Sequence, residues 1–269
     1  MADNMNGAKV AQPEPSDNDE LFTSITSRFL FPSQVVDRWG LNMVLYGAPG
    51  VGKTTLAATA QDYVPARDVL LIDVEGGARA IADRTDISIF RPIDWTDLGS
   101  MLEFLEESSH AFRTIIIDTI NECQRLGLEQ IMRGGGPTAT AQLQDYLKSN
   151  EQMLRFVRAY RSLAYTRGWN IIFISHETEV HDQATGAVLT RPALTPKAAE
   201  MVVASVDAVG YLYRDGPKRM LTFDGTAYLR AKFRQPQHAI STVPLVPLLI
   251  ENPTLATILK GTTTNADQS

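Results

Sequence analysis

Residues 47 to 54 read GAPGVGKT, with Thr55 next in the chain. Glycines at this spacing let a backbone curl until successive N–H groups converge, and the lysine and threonine that follow add an ammonium and a hydroxyl. Such a set binds a string of phosphates. Gly47, Ala48, Pro49, Gly50, Val51 and Gly52 form the cradle, Lys53 reaches the β- and γ-phosphates, Thr54 offers its hydroxyl to Mg²⁺, and Thr55 continues the turn. A magnesium shell also needs a carboxylate. Asp118, closing the apolar run TIIID, is expected to supply it from a neighbouring strand, although an aspartate there also suits a helix cap.

These residues need a scaffold, and its outline is readable. Apolar runs at 41 to 46, 68 to 73, 87 to 90, 114 to 118 and 170 to 175 predict strands; helical patterns fill 53 to 63, 77 to 83, 95 to 108, 119 to 132 and 143 to 167. Strands apolar on both faces and separated by helices imply a parallel sheet covered on both sides. After residue 205 the rhythm changes to VDAVGYLYR, KRMLTFDG and YLRAKFR, short strands joined by Asp-Gly turns at 215–216 and 224–225, which predict an antiparallel extension. Thr195 and Pro196 predict the N-cap and first residue of another helix. Gly134, Gly135, Gly136 and Pro137 predict one loop, and residues 177 to 194 a second. The fold class is therefore α/β, a mostly parallel central sheet flanked by helices with a C-terminal antiparallel β extension.

The chain has 269 residues, 44% hydrophobic and 21% charged, enough for a substantial core. Residues 1 to 20 are acidic and carry Pro13 and Pro15, predicting a disordered tail, and 261 to 269 read as equally loose. Residues 21 to 37, with LFTSITSRFLF at 21 to 31, read either as a segment that docks on a next protomer or as a packing strand; 38 to 260 form the core. Net charge is −6, but the first 20 residues hold five acids and one lysine, which leaves 26 acids against 24 bases elsewhere. A nucleic-acid partner therefore requires a local basic patch. Arg125 and Arg133 beside the first loop, and Arg191 with Lys197 around the second, are the expected contacts to a polynucleotide backbone. Arg155, Arg158 and Arg161 read better as a solvated helix face. No run approaches the roughly 18 apolar residues of a membrane span, and no secretory signal is evident. The lone Cys123 excludes an intrachain disulfide and fits a reducing compartment, so a cytoplasmic location is expected. His110, His181 and His238 lack metal-ligand spacing.

Proteins of the AAA+ type normally carry a catalytic glutamate directly after the Walker B aspartate, and here Thr119 stands in that place. A glutamate is available elsewhere: DVLLID leads to Val74 and Glu75 at the carboxyl end of a strand, the edge where open α/β sheets bind ligands. This arrangement resembles the RecA and RadA recombinases, an AAA-like nucleotide-binding group. The resemblance implies that the core is RecA-like, that Glu75 activates the attacking water, and that Ser175 and His176, ending IIFIS, sense the γ-phosphate. It implies mobile DNA-binding loops at 133 to 142 and 177 to 194. It also gives Lys232 and Arg234, which share one face of a strand, a role at the γ-phosphate of a neighbouring subunit; as plain residues they serve equally as an edge-protecting pair. GAPGVGKT, IIID, ISHETE, LTPKAAEMVVASVDAVGYLYR and AKFR in order, over about residues 38 to 240, look like the phage-type RecA-like ATPases called Sak, which anneal single strands.

The expected function is a DNA-stimulated ATPase using ATP and Mg²⁺ that binds single-stranded DNA, forms a homo-oligomer (ring or filament), and cooperates with a single-strand-binding protein. Two alternatives stand beside it: a nucleotide-gated assembly module with negligible turnover, and a small-molecule P-loop kinase.

Overall fold

Alternation of apolar side chains along six consecutive buried positions of Asn42–Gly47 sets the plan of the molecule, because it puts Met43 and Leu45 on one face and Val44 and Tyr46 on the other. The computed structural model describes residues 40–133, 139–181, 186–233 and 249–259. The expectations for 1–37, for 134–137, for Arg234 and for 261–269 lie outside them.

The strands are β1 (Asn42–Gly47), β2 (Val69–Asp73), β3 (Ser88–Phe90), β4 (Thr114–Asp118), β5 (Asn170–His181), β6 (Val188–Pro192), β7 (Ala208–Asp215), β8 (Lys218–Thr222), β9 (Lys232–Phe233) and β10 (Leu249–Glu251). They form one sheet in the order β10-β8-β7-β1-β5-β4-β2-β3, with β6 added to β5 and β9 to β7. From β7 to β3 every pairing is parallel; β7/β8, β8/β10, β5/β6 and β7/β9 are antiparallel. This is the expected α/β plan with its antiparallel extension.

Helices cover both faces. α1 (Lys53–Ala58) and α6 (Leu255–Leu259) lie over the face of Leu45, Leu71, Ile116 and Ile174. Over the face of Val44, Ile72, Ile117 and Phe173 lie α2 (Trp95–Glu107), α3 (Ile120–Met132), α4 (Leu143–Arg167) and α5 (Pro196–Ser205). Each of these fully buried side chains contributes about 1.5–3 kcal/mol relative to exposure, which is why the strands carry isoleucine, leucine and valine on both sides.

Several boundaries depart from the sequence reading. The helix expected over 53–63 stops at Ala58 and tightens into 3₁₀ turns at Thr59–Asp62 and Val64–Ala66. Thr59 donates its hydroxyl to Leu56 O (2.7 Å), a local bond that competes with helix continuation. The element expected at 77–83 is a single 3₁₀ stretch, Gly77–Ile81. The expected loop at 177–194 is instead a hairpin, with β5 running on to His181 and pairing with β6 from Glu177↔Pro192 to His181↔Val188. Thr178, Val180, Val188 and Thr190 favour extended backbone there, where a count of polar residues suggests a loop. The Asp215-Gly216 turn joins β7 to β8 as expected, but β9 returns to β7 (Val209↔Lys232) rather than to β8. Finally, β4 is not next to β1, because β5 lies between them.

Candidate nucleotide-binding site

The carboxyl ends of β1, β2, β4 and β5 meet around the GAPGVGKT turn, and the residues named from sequence converge there. A cleft of about 320 Å³ is lined by Pro49, Gly50, Gly52, Lys53, Thr54 and Thr55 on one side and by Glu75, Asp118 and His176 on the other. The turn between β1 and α1 passes through Gly52 at φ +104°, a backbone state open to glycine, and brings Lys53, Thr54 and Thr55 of the first turn of α1 to the cleft.

Lys53 is buried, and its ammonium donates to Gly47 O (2.9 Å) and Ala48 O (2.8 Å), so it is held at the mouth of the turn. Burial holds it below the ordinary lysine range, against the attraction of Asp118, Glu75 and Glu177. Thr54 donates its hydroxyl to Asp118 Oδ2 at 2.6 Å, across the width of β5. Burial pushes the Asp118 carboxyl above the ordinary aspartate range; the Thr54 hydrogen bond opposes this, while Glu75 and Asp73 add to it. A Cβ on Gly77 would fall 2.5 Å from Asp118 Oδ2 and 3.4 Å from Thr54 Oγ1, so the chain after Glu75 closes over this oxygen pair only as glycine. A hydroxyl and a carboxylate are hard oxygen donors, too few to cage a cation alone and suited to Mg²⁺ that also takes phosphate oxygens and water. Among the described residues no cluster of three or more His, Cys, Asp or Glu forms a self-sufficient metal site.

Glu75 is positioned by three groups. Val74 N and Glu75 N donate to Asp118 O (2.7 and 3.2 Å), which pins the start of the loop to β4. Asp73, whose side chain is fully buried, accepts from Gly76 N (2.9 Å) and Ala78 N (3.4 Å) and from Arg91 Nε (3.1 Å). The third is His176, whose Nε2 stands 2.8 and 2.9 Å from the two Glu75 carboxylate oxygens. His176 is itself level with Gly47 in the β1/β5 register, and its N–H donates to Asn121 Oδ1 (3.2 Å). Thr119, where an AAA+ base would stand, instead caps α3 by accepting from Glu122 N (3.4 Å).

Lys53, Thr54, Asp118, Glu75 and His176 are thus brought together. Lys232 is not: it pairs with Val209, which pairs with Val44, so it lies below the cleft, and its Nζ donates to Ala204 O (3.4 Å). The four residues expected to contact a polynucleotide are each engaged locally. Arg125 pairs with Glu122 (2.6 Å) and Glu129, Arg133 with Asp94 (2.8 Å), Lys197 with Glu200 (3.7 Å), and Arg191 donates to Leu194 O (3.1 Å). Sequence reasoning missed Asp73, Arg91 and Arg219. The first was signalled by ending the same strand that leads to Glu75; the arginines reach the site only through sheet order.

A family model described as "AAA domain" matches residues 40–235. The chain belongs to that family, and within it the aspartate of β4 is followed by a capping threonine rather than a base. Among solved structures the chain is similar to one titled "Crystal structure of the RadB recombinase", at 15% identity and a TM-score of 0.41 over 68% of this chain and 80% of that one. No curated protein matches. The protein is an AAA-domain P-loop protein, and among its described residues no helix is long and apolar enough to cross a membrane.

Proposed function

We propose that the chain binds ATP with Mg²⁺ in this cleft, hydrolyses it, and uses nucleotide occupancy to control a grip on single-stranded DNA in annealing or recombination. The observation that carries the proposal is the convergence of Lys53, Thr54, Asp118 and Glu75 on one cleft at the carboxyl edge of the sheet. The loop N–H groups and Lys53 would hold the phosphates, with the ammonium exchanging its two carbonyl acceptors for phosphate oxygens. Thr54 and Asp118 would hold the magnesium, which when bound neutralises charge on the phosphate oxygens. Glu75 would orient a water, and His176, bonded to it and standing at the root of the β5/β6 hairpin, would relate the state of the cleft to that hairpin.

Lys232 lies outside the cleft of its own chain, which supports a contribution with Arg234 to a neighbouring protomer in a homo-oligomer. Single-stranded DNA would run past Arg125, Arg133, Arg191 and Lys197, exchanging weak surface pairs for phosphates. Phage-type annealing activity, a cytoplasmic setting and a single-strand-binding protein as partner complete this reading on the motif resemblance.

One observation favours a second reading. Both carboxylate oxygens of Glu75 lie within hydrogen-bond distance of His176, which leaves the base engaged and favours a nucleotide-gated assembly module with negligible turnover. Glu75→Gln separates the two. On the ATPase reading, turnover falls by about 10²–10⁴ with ATP binding retained, and strand annealing falls with it. Annealing that survives unchanged establishes the gated module instead.

A further inference from the structure

The cleft has a second rim. Glu75, Asp118 and His176 come from strands on one side of β1; from the opposite side, beyond β7, a single side chain of β8 reaches the same cleft, Arg219. Its backbone is fixed by a reciprocal pair with Asn252, Arg219 N donating to Asn252 Oδ1 (3.1 Å) and Asn252 N to Arg219 O (2.6 Å). Its Nε donates to Val51 O at 3.0 Å. A Cβ on Gly52 would fall 2.8 Å from that Nε, so the guanidinium lies directly on the loop backbone. Among the described residues no carboxylate pairs with Arg219. Two Nη groups and a planar cationic face are left for something else.

The side of the loop it occupies decides what that is. Arg219 enters the cleft from the rim opposite Glu75, Asp118 and His176, and its Nε is already taken by Val51 O. With a metal held by Thr54 and Asp118, a nucleoside directed toward the opposite rim would meet Arg219. A guanidinium anchored through Nε stacks on an aromatic base and donates from Nη to base or ribose oxygens at little further loss of freedom.

We propose that Arg219 is a nucleotide-positioning residue that grips the base and ribose from the β8 side, so that affinity for the nucleoside portion is set by the antiparallel extension rather than by the phosphate loop. This rests on the nucleotide reading given above, and the test separates the two. Calorimetric titration with Mg-ATP and with Mg-tripolyphosphate, which has the phosphates and no nucleoside, is carried out on the full chain and on Arg219→Ala, Arg219→Lys and Lys53→Ala. Arg219→Ala is expected to weaken ATP about tenfold and leave tripolyphosphate within twofold, with Arg219→Lys between, because ammonium lacks the planar face. Lys53→Ala is expected to weaken both ligands. Equal losses for both ligands in Arg219→Ala would reduce Arg219 to a brace for the loop and overturn the proposal, as would no loss for either. ATP affinity untouched by Lys53→Ala would overturn the nucleotide seat itself, and the Arg219 proposal with it.

Discussion

The cleft at the carboxyl edge and the arginines of the surrounding surface solve the problem of placing charge in opposite ways. In the cleft, Lys53 and Asp118 are buried, as is Asp73 behind it, and each has named partners at hydrogen-bond distance, Gly47 O and Ala48 O for the lysine, Gly76 N and Arg91 for Asp73, and Thr54 for Asp118. On the surface, Arg125, Arg133 and Lys197 pair with Glu122, Asp94 and Glu200, carboxylates that are partly or largely exposed. Charges taken out of water are costly unless their partners are fixed, so the cleft is stiff and its geometry is specific. Exposed pairs are worth about 0–1 kcal/mol each, so the surface set is exchangeable and its present partners say little about what it binds.

This contrast can be broken most severely at Asp118. Its carboxyl is held above the ordinary range by burial and by Glu75 and Asp73, so the charged form is a liability to the fold that the metal site requires. Asp118→Asn is therefore expected to lower magnesium-dependent nucleotide affinity roughly 100-fold while raising Tm by a few degrees, which corresponds to about 1 kcal/mol in a chain of this size. The sign with pH follows. A folded-state pKa raised above the unfolded value means that stability is gained as pH falls through the folded pKa, complete below the unfolded value of about 3.9. The Tm advantage of Asp118→Asn should thus shrink on acidification; a gap that widens would show that the buried charge is not its source.

A smaller effect is expected at Asp73, which touches no ligand and acts through the loop it holds. Asp73→Asn weakens its pairing with Arg91 and should reduce turnover roughly three- to tenfold, with ATP affinity within twofold, because a small displacement of Glu75 is felt in the chemical step. Steady-state kinetics beside calorimetry separate this from general loosening, which would lower affinity and Tm together. The smallest effect belongs to the surface. Arg125→Ala and Arg133→Ala should each weaken single-strand binding about two- to threefold at low salt, a difference that vanishes above roughly 0.15 M salt. A loss that persists at high salt would mean these arginines make buried contacts with the polynucleotide.

The same division explains what could be read from the residues alone. The phosphate loop and Asp118 were legible because loop and carboxylate chemistry is bound to fixed local patterns, a glycine turn after a strand and an acid at a strand end. Glu75 and His176 were both named, but their mutual contact depends on β5 lying between β1 and β4, which strand periodicity does not specify. Arg219 gave no local signal: it reaches the cleft because β7 joins the far side of β1 and β8 follows it by a hairpin. The 177–194 segment reads as a loop from its polar residues, while its β-branched residues suit the antiparallel ladder that the structure shows. Lys232 was correctly seen to sit on a strand, yet register places it level with Val44, well below its own chain's cleft.

In the proposed function, occupancy of the cleft governs the grip on unpaired polynucleotide. Fluorescence anisotropy of a labelled oligothymidylate, titrated with the full chain plus Mg²⁺ and either a non-hydrolysable ATP analogue, ADP or no nucleotide, tests it most directly. Affinity at least tenfold tighter with the analogue than with ADP, and lost in Lys53→Ala, is the result the account predicts. Equal affinity in all three conditions, or none at all, would contradict it.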